Sequence, residues 1–548
     1  MRTRRSHPPA APARQSGAPT DRPTTSRGAA TSEHDARPAG RGTQESPEPS
    51  RHDAVVVGGG VAGLVAAREL ALAGLRPLVL EAWRAPGGVV GRHEVDGLRL
   101  DAGAESFATR GGVVAALAEE LGLADRVVAP EPHGAWVRLP HGAGPLPRTG
   151  LLGIPADPWA SDVRRTIGTL GSLRAALDRV LPPSAGLGAP PAPAEVEGFA
   201  REGAPKPSTS PQTLDLGGSG GSGSSAGATL GGLVRARMGR RVLDRLVRPV
   251  VAGVHAAEPD DIAVDAVAPG LSAAVRRTGS LAAAVADLRA LAPAGSAVAG
   301  FRGGLHVLVD ALVADLTARG GELRTSTRAV AVERDADGFR VTVESGGSRR
   351  VLAADRLVVA TPRATELLAG VAPDLAGLHT DPGADVVLAT LVLDAPALDS
   401  APRGTGVLVA RAVPGVRAKA LTHATAKWGW LADAAGPGRH VVRLSYGRAG
   451  ESEALPPDLG GLTDLALRDA AAVLGVPLAP EQVRASARVS WSQGLPVPSA
   501  AHRRTVERVR AAVGGVPGLA VVGAWVSGNG LASVVPDARA TARSLTAP

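Results

Sequence analysis

The chain has no cysteine among its 548 residues. Disulfides, thiolate-bound clusters, cysteine-ligated zinc and cysteine-linked cofactors are therefore excluded. Aromatic residues are almost as scarce, with one tyrosine, four phenylalanines and seven tryptophans. A core built from this chain must be packed mainly by Val, Leu and Ala. No apolar run approaches the ~18 residues of a membrane-spanning helix. Arg4-Arg5 has no apolar stretch behind it, so neither a secretion nor a twin-arginine signal is expected. A reducing interior suits the missing cysteine, and the expected location is cytoplasmic. The formal charge is +8, and residues 1–51 alone hold nine arginines against five acids. The rest of the chain lacks the basic stripe with interleaved aromatics that nucleic acid asks for, so no nucleic-acid partner is expected.

Two stretches lack hydrophobic periodicity. Residues 1–51 are rich in Pro, Ser, Thr, Arg and Gly and are expected to form a disordered tail, because they cannot bury enough apolar area to offset chain entropy. Residues 182–228 begin Pro/Ala-rich and end in Gly217-Gly218-Ser219-Gly220-Gly221-Ser222-Gly223, which reads as a flexible insertion.

Between them, strand and helix signals alternate. Asp53–Val57 reads as a short buried strand, Val61–Ala73 as a helix and Arg76–Leu80 as a second strand. Such a βαβ unit favours a parallel sheet. Farther on, Gly304–Ala318 reads as a helix with Leu305, Leu308, Leu312 and Leu316 on one face. Strands are expected at Glu322–Glu333, Phe339–Glu344 and Leu357–Ala360. The last pair is a strand at Leu519–Gly523 and a helix from about Ala532 to Leu545.

Gly58-Gly59-Gly60-Val61-Ala62-Gly63 stands where the first strand gives way to the helix. This is the glycine fingerprint of a dinucleotide fold. Gly58 permits the tight turn, Gly60 lets the backbone approach a pyrophosphate, and Gly63 lets the helix pack on the strand. The helix N-terminus then offers free N–H groups and a positive dipole end. Glu81 ends the second strand about 20 residues on, where a carboxylate accepts from both ribose hydroxyls. That favours FAD or NAD over a cofactor with a 2′-phosphate.

Further motifs narrow the choice. Pro86-Gly87-Gly88 follows Glu81 and precedes Arg92, a second glycine pair that resembles the monoamine-oxidase-like flavoproteins. Val522-Gly523-Ala524-Trp525-Val526-Ser527-Gly528-Asn529-Gly530-Leu531 precedes the last helix, as where that superfamily closes over its flavin ring. Asp101-Ala102-Gly103-Ala104-Glu105-Ser106-Phe107-Ala108-Thr109-Arg110 is similar to the oxygen-dependent porphyrinogen oxidases of haem synthesis, the coproporphyrinogen III and protoporphyrinogen oxidases. So are Leu151–Pro155, Pro249–Val254, Phe301–Leu305, Ala426–Trp430, Arg443–Arg448 and the stretch from Trp491 to His502. The resemblance covers about residues 52–181 and 229–548. There are departures. Val89 stands where the family has a basic residue, Ala256-Ala257-Glu258-Pro259 replaces Ala-Gly-Asp-Pro, and Pro496-Val497-Pro498 replaces Pro-Gln-Tyr.

The resemblance implies an α/β fold, with a discontinuous Rossmann-like FAD-binding domain and a discontinuous α+β substrate-binding domain. Residues 52–135, 296–370 and 500–548 are assigned to the first, and 136–295 and 371–499 to the second. The expected FAD site, noncovalent, takes Gly58, Gly59, Gly60, Val61, Ala62, Gly63, Glu81, Ala82, Gly88, Gly103, Ala104, Glu105, Ser106, Ala329, Val330, Trp491, Gly530, Leu531 and Ala532. Glu105 either bonds near the flavin or fixes its loop. Trp491 is either a flavin neighbour or core packing. The implied chemistry is oxidation of coproporphyrinogen III to coproporphyrin III: six electrons in three two-electron steps, with dioxygen as acceptor and peroxide as product. The substrate carries propionates, so Arg or Lys at its edge is expected. Arg110 is assigned to the inner position, Lys427 and Arg448 to the rim, with Arg443 a further candidate. No catalytic base and no metal ligand is assigned. Transient contact with other haem-synthesis enzymes is the one further partner implied.

Four rival readings remain at this point, one of them a protein with NAD as its sole cofactor. A protoporphyrinogen oxidase differs only in substrate. An amine oxidase or desaturase of the superfamily usually needs an aromatic cage, for which a single tyrosine, Tyr446, is poor material. A catalytically silent flavin- or porphyrin-binding protein would carry the same glycines, because they report binding and not turnover.

Overall fold

The computed structural model describes residues 50–187, 228–255, 257–290, 297–378, 384–411, 413–448, 454–495 and 499–546. Within these residues the fold is mixed α/β, as the sequence implies.

The first of two seven-stranded sheets among the described residues gathers distant parts of the chain. Its centre is the strand Ser50–Val57, flanked in parallel by Pro77–Leu80 and by Ser348–Val359. Glu322–Arg324 adds in parallel outside Pro77–Leu80. The long strand Ser348–Val359 has two roles on its far edge. Its first half pairs antiparallel with Gly338–Ser345, and its last three residues pair in parallel with Leu519–Val521. The stretches Ala54–Val57, Pro77–Leu80 and Leu357–Val359 are continuously apolar because both faces are covered there, so no alternation is needed. Helices Val61–Leu72, Val307–Ala318 and Leu531–Ser544 cover one face. Val509 and Val513 of helix Ala500–Gly514, with Leu367 and Leu368, cover the other.

The second sheet runs, in spatial order, through Val483–Leu495, Ala384–Asp394, Arg439–Tyr446, Ala420–His423, Gly406–Val409, Trp136–Leu139 and Gly142–Pro145. Helix Leu459–Leu474 packs on one face through Leu462, Ala466, Ala470 and Val473. On the other face Val392 and Val441 meet Trp428, Leu431 and the hairpin residues Val95, Leu98 and Leu100. A separate helical core joins Val163, Ile167, Leu233, Leu246, Val275 and Val285. No helix among the described residues is long and apolar enough to cross a membrane.

Four expectations need correction. The tail assigned to 1–51 ends earlier: Ser50 and Arg51 lie in the first strand beside Leu352 and Ala353, where the long partner strand offers open ladder positions. Residues 1–49 are outside the described residues. The insertion assigned to 182–228 begins later, since Pro182, Pro183 and Ala185 give their carbonyls to the buried guanidinium of Arg237 and Leu187 is buried. Residues 188–227 are outside the described residues. The domain break placed at 370 falls farther on, because Val371, Ala372, Leu375 and Leu378 pack into the first sheet's core. Finally, Glu322–Glu333 is two strands. Ser326 takes a left-handed φ of 49° and its N–H donates to Trp83 O, which breaks the run before Arg328–Asp335.

Candidate functional site

The glycine loop has the geometry its spacing requires. Gly58 has φ 110°, which a side chain resists, and its N–H donates to Leu80 O at 2.8 Å. A Cβ on Gly63 would lie 2.0 Å from Gly58 O, so helix and turn touch only because it is absent. A Cβ on Gly60, by contrast, would meet nothing within 4 Å and would project into open space at the helix N-terminus. The first intrahelical bond here runs from Leu64 N–H to Gly60 O. The N–H groups of Val61, Ala62 and Gly63 therefore have no acceptor inside the helix. Free N–H groups at a helix N-terminus suit an anion, and a pyrophosphate would fit this chemistry.

Glu81 is buried beneath the loop. Its Oε2 accepts from Gly59 N–H and its Oε1 from Trp83 N–H, both at 2.8 Å. A carboxylate has about four lone-pair positions, so two remain for ribose hydroxyls. Ala82 and Gly88 are exposed, and a Cβ on Gly88 would stand 3.6 Å from Gly60 Cα. Backbone bonds from Ser326 to Trp83 and from Thr327 to Glu81 bring the next strand alongside. There Ala329 is buried, and the ladder register passes over Val330. At the far end of the chain Gly530 has φ 98° and open space at its Cβ position. It caps helix Leu531–Ser544, leaving Leu531 and Ala532 N–H groups without intrahelical acceptors. These residues fit a dinucleotide, and their open positions are those a branched side chain would fill.

The loop after strand Leu98–Asp101 is fixed from three sides. Asp101 accepts from Leu305 N–H at 2.9 Å and from His306 N–H at 3.1 Å. Ala104 N–H donates to Val89 O, and a Cβ on Gly103 would lie 2.1 Å from that oxygen. Trp491, half-buried on the second sheet, donates its indole N–H to Ala102 O at 3.1 Å. Arg443 donates from Nη2 to Gly103 O at 2.7 Å and from Nη1 to Glu105 Oε2 at 2.8 Å. Lys427 Nζ meets Glu105 Oε1 at 2.8 Å and Ser106 Oγ at 3.4 Å, and stands over the Trp428 ring at 5.0 Å. Burial works to raise the Glu105 carboxyl, but the two cations outweigh it and hold it down at about 2. Glu105 thus stays ionised and ties its loop to the second sheet.

Two rim assignments are corrected. Lys427 is not an exposed charge, because Glu105 holds it in a largely buried pair. Arg448 is buried and gives Nη2 to Val409 O at 2.7 Å and Ala418 O at 3.1 Å. Gly447 beside it has φ 85°, and Lys419 Nζ donates to Gly447 O at 2.7 Å. Arg443 is likewise consumed by Glu105 and Gly103 O. Arg110 is the exception: it is exposed in the turn Arg110–Gly112, which packs against helix Leu531–Ser544, and it has no ion pair to a described residue. One neighbour went unnoticed in the sequence. His93 has a buried, unpartnered Nε2, and burial, aided by Arg443, lowers its pKa to about 4. A lone His on a short strand gives no signal of this.

Comparisons with known proteins bear on the family and the fold. A family described as flavin containing amine oxidoreductase matches residues 61–545. A coproporphyrinogen III oxidase of Mycobacterium tuberculosis is 30% identical over 489 residues, 88% of this chain and 94% of that protein. A coproporphyrinogen III oxidase of Bacillus subtilis is 22% identical over 506 residues, covering 89% of this chain and 96% of its own. Among solved structures, a protein of Exiguobacterium sp. 255-15 aligns with a TM-score of 0.70 at 24% identity, over 91% of this chain and 98% of its own. Cyclohexylamine oxidase from Brevibacterium oxydans aligns with a TM-score of 0.57 at 14% identity, over 90% of this chain and 98% of its own. These two likenesses concern the fold.

Proposed function

The chain belongs to the flavin-containing amine oxidoreductase family, and from that premise we propose that it binds FAD noncovalently and oxidises coproporphyrinogen III to coproporphyrin III in haem synthesis, with dioxygen as acceptor. The observation that carries this reading is the similarity to coproporphyrinogen III oxidases across 94% of such a relative's length. The geometry supports the cofactor half. Gly60, Val61 and Ala62 would hold the pyrophosphate, Glu81 the ribose, Ala329 and Val330 the adenine side, and Leu531 and Ala532 the flavin ring. Once bound, FAD would supply the redox chemistry, relaying electrons in pairs from the porphyrinogen to dioxygen. In sum, one porphyrinogen and three dioxygen molecules give one porphyrin and three hydrogen peroxides.

The chain's own residues bind and position. Glu105, Lys427 and Arg443 keep the 101–106 loop rigid between the two sheets, so that Gly103 and Ala104 present backbone and no side chain. Arg110 is the exposed cation left to pair with a substrate propionate. Trp491 gives an apolar wall beside the loop. No side-chain base is assigned, since the gain of aromaticity across the macrocycle drives proton loss. The test is turnover under air, followed by porphyrin fluorescence and peroxide yield. A higher kcat/KM for coproporphyrinogen III than for protoporphyrinogen IX supports the reading. A preference for protoporphyrinogen IX overturns the substrate, and a failure to turn over either overturns the reaction.

A further inference from the structure

Helix Val61–Leu72 carries two charges that the proposed reaction does not use. Every residue from Val61 to Ala71 is buried, so this helix needs no polar face. Yet it holds Arg68, 3% exposed, and Glu69, 5% exposed. Both are paired with other helices. Arg68 Nε donates to Asp315 Oδ2 and Nη1 to Glu120 Oε2, each at 2.8 Å. Arg543 Nε donates to Glu69 Oε2 at 2.8 Å, and Arg539 Nε stands 3.3 Å from Glu69 Oε1. Arg539 also grips both oxygens of Glu120, at 2.9 and 2.7 Å. Arg319 grips both of Asp315, at 2.8 and 3.2 Å. One network thus joins helices Val61–Leu72, Val113–Glu120, Val307–Ala318 and Leu531–Ser544.

Each of the four helices begins at the candidate site. The first opens at Gly60, at the glycine loop. The second follows the turn Arg110–Gly112. The third follows Leu305 and His306, whose N–H groups hold Asp101. The fourth starts at the Gly530 cap. The network meets them at one depth. Glu69, Asp315 and Arg539 are each the ninth residue of their helix, and Glu120 is the eighth of its own. At ~1.5 Å per residue, that sets the network about 12 Å from the first turns.

Stability alone gives little reason for such a network. A buried ion pair is often no more stable than well-packed apolar residues, and its best-attested use is to fix register. The other contacts among these helices are mostly Val, Leu and Ala, whose attraction has no direction. The planar fork of arginine, by contrast, accepts a carboxylate in a narrow geometry. Sliding one helix by a single rise of ~1.5 Å would pull Arg539 off Glu120 or leave buried Arg68 short of a partner. We propose that Arg68 and Glu69 are positioning residues for the cofactor. They lock the register of the four helices, so that the N–H groups of Val61, Ala62, Leu531 and Ala532 face one ligand together. The inference rests on the FAD half of the reading above and is independent of the porphyrinogen.

The test strips FAD from the purified protein and titrates it back. Kd is read from flavin fluorescence, and the setting of the ring from visible circular dichroism. Arg68→Met and Glu69→Gln should bind FAD about tenfold more weakly, with altered visible and unchanged far-ultraviolet dichroism. Glu120→Gln, at a carboxylate whose side chain is 40% exposed, covers the case in which those two fail to fold. It should shift Kd in the same direction. The control is Asp178→Asn, which breaks the fully buried pair with Arg237 at 2.7 Å in the helical core. Should that variant not fold, Ser280→Ala removes a bond of 2.6 Å to Asp178 instead. The control should lower the melting temperature and leave the Kd for FAD unchanged. Unchanged Kd and visible dichroism in the network variants overturns the proposal. An equal weakening in the control also overturns it, since a general loss of stability would then explain the effect. A wild-type protein that takes up no FAD overturns the cofactor reading itself.

Discussion

Lys427 Nζ lies 2.8 Å from Glu105 Oε1, and this pair fastens a helix beside the second sheet to the loop that carries Gly103. Because Arg443 takes the other carboxylate oxygen, Glu105→Gln would leave two largely buried cations with no counter-charge. Breaking a buried pair from one side costs about 3–5 kcal/mol. Glu105→Gln is expected to lose stability of that order in denaturant unfolding. A loss under about 1 kcal/mol would class the pair with exposed salt bridges and contradict the structure.

Stability should fall with acid in two stages. His423 is pushed down to about 3 and His93 to about 4, in both cases chiefly by burial. The folded chain keeps them neutral while the unfolded chain takes up protons near 6.5. The unfolded state thus binds more protons, and stability drops as pH falls below about 6.5. Glu105 acts lower. Its depressed carboxyl adds stability that is present above its ordinary value of 4.5 and lost as pH falls through about 2. Melting temperature against pH should show both stages. His423→Gln should flatten the upper one and Glu105→Gln the lower one. A flat profile between pH 6.5 and 4.5 would show that the histidines titrate freely.

At the glycine loop the expected effect is on the cofactor. Gly60→Val places its Cβ in open space at the helix N-terminus, with no other atom within 4 Å of it. The variant should fold, with unchanged far-ultraviolet circular dichroism, and purify without flavin. Full flavin content in Gly60→Val would remove the pyrophosphate from this cradle.

The two arginines first grouped as substrate partners should now behave differently. Arg110→Ala is expected to lower kcat/KM about tenfold or more with flavin retained and melting temperature unchanged. Arg448→Ala removes a buried group that donates to the carbonyls of Val409 and Ala418. It should destabilise the fold by about 1–3 kcal/mol, and added salt should not alter that loss. Equal and salt-sensitive effects on kcat/KM from both would restore the rim assignment.

What the sequence revealed follows from what is local. The Gly58–Gly63 turn, the short apolar strands at Val55, Leu78 and Val358 and the Gly530 cap each depend on a few adjacent residues, so their spacing exposes them. Arg443 and Lys427 depend on Glu105, 338 and 322 positions away, and Arg448 on carbonyls 39 and 30 positions back. No local pattern distinguishes a cation facing a substrate from one paired inside the fold. The break at Ser326 was invisible for the same reason: it is set by a hydrogen bond to Trp83 across the neighbouring strand.

The central claim is that a porphyrinogen gives its electrons to a flavin held by this chain. Its most direct test is anaerobic mixing of the purified yellow protein with coproporphyrinogen III, with the flavin absorbance followed. The account predicts bleaching as coproporphyrin fluorescence rises, and return of the absorbance with peroxide on admitting air. A flavin that stays oxidised with coproporphyrinogen III, while an amine or another donor bleaches it, would contradict the account.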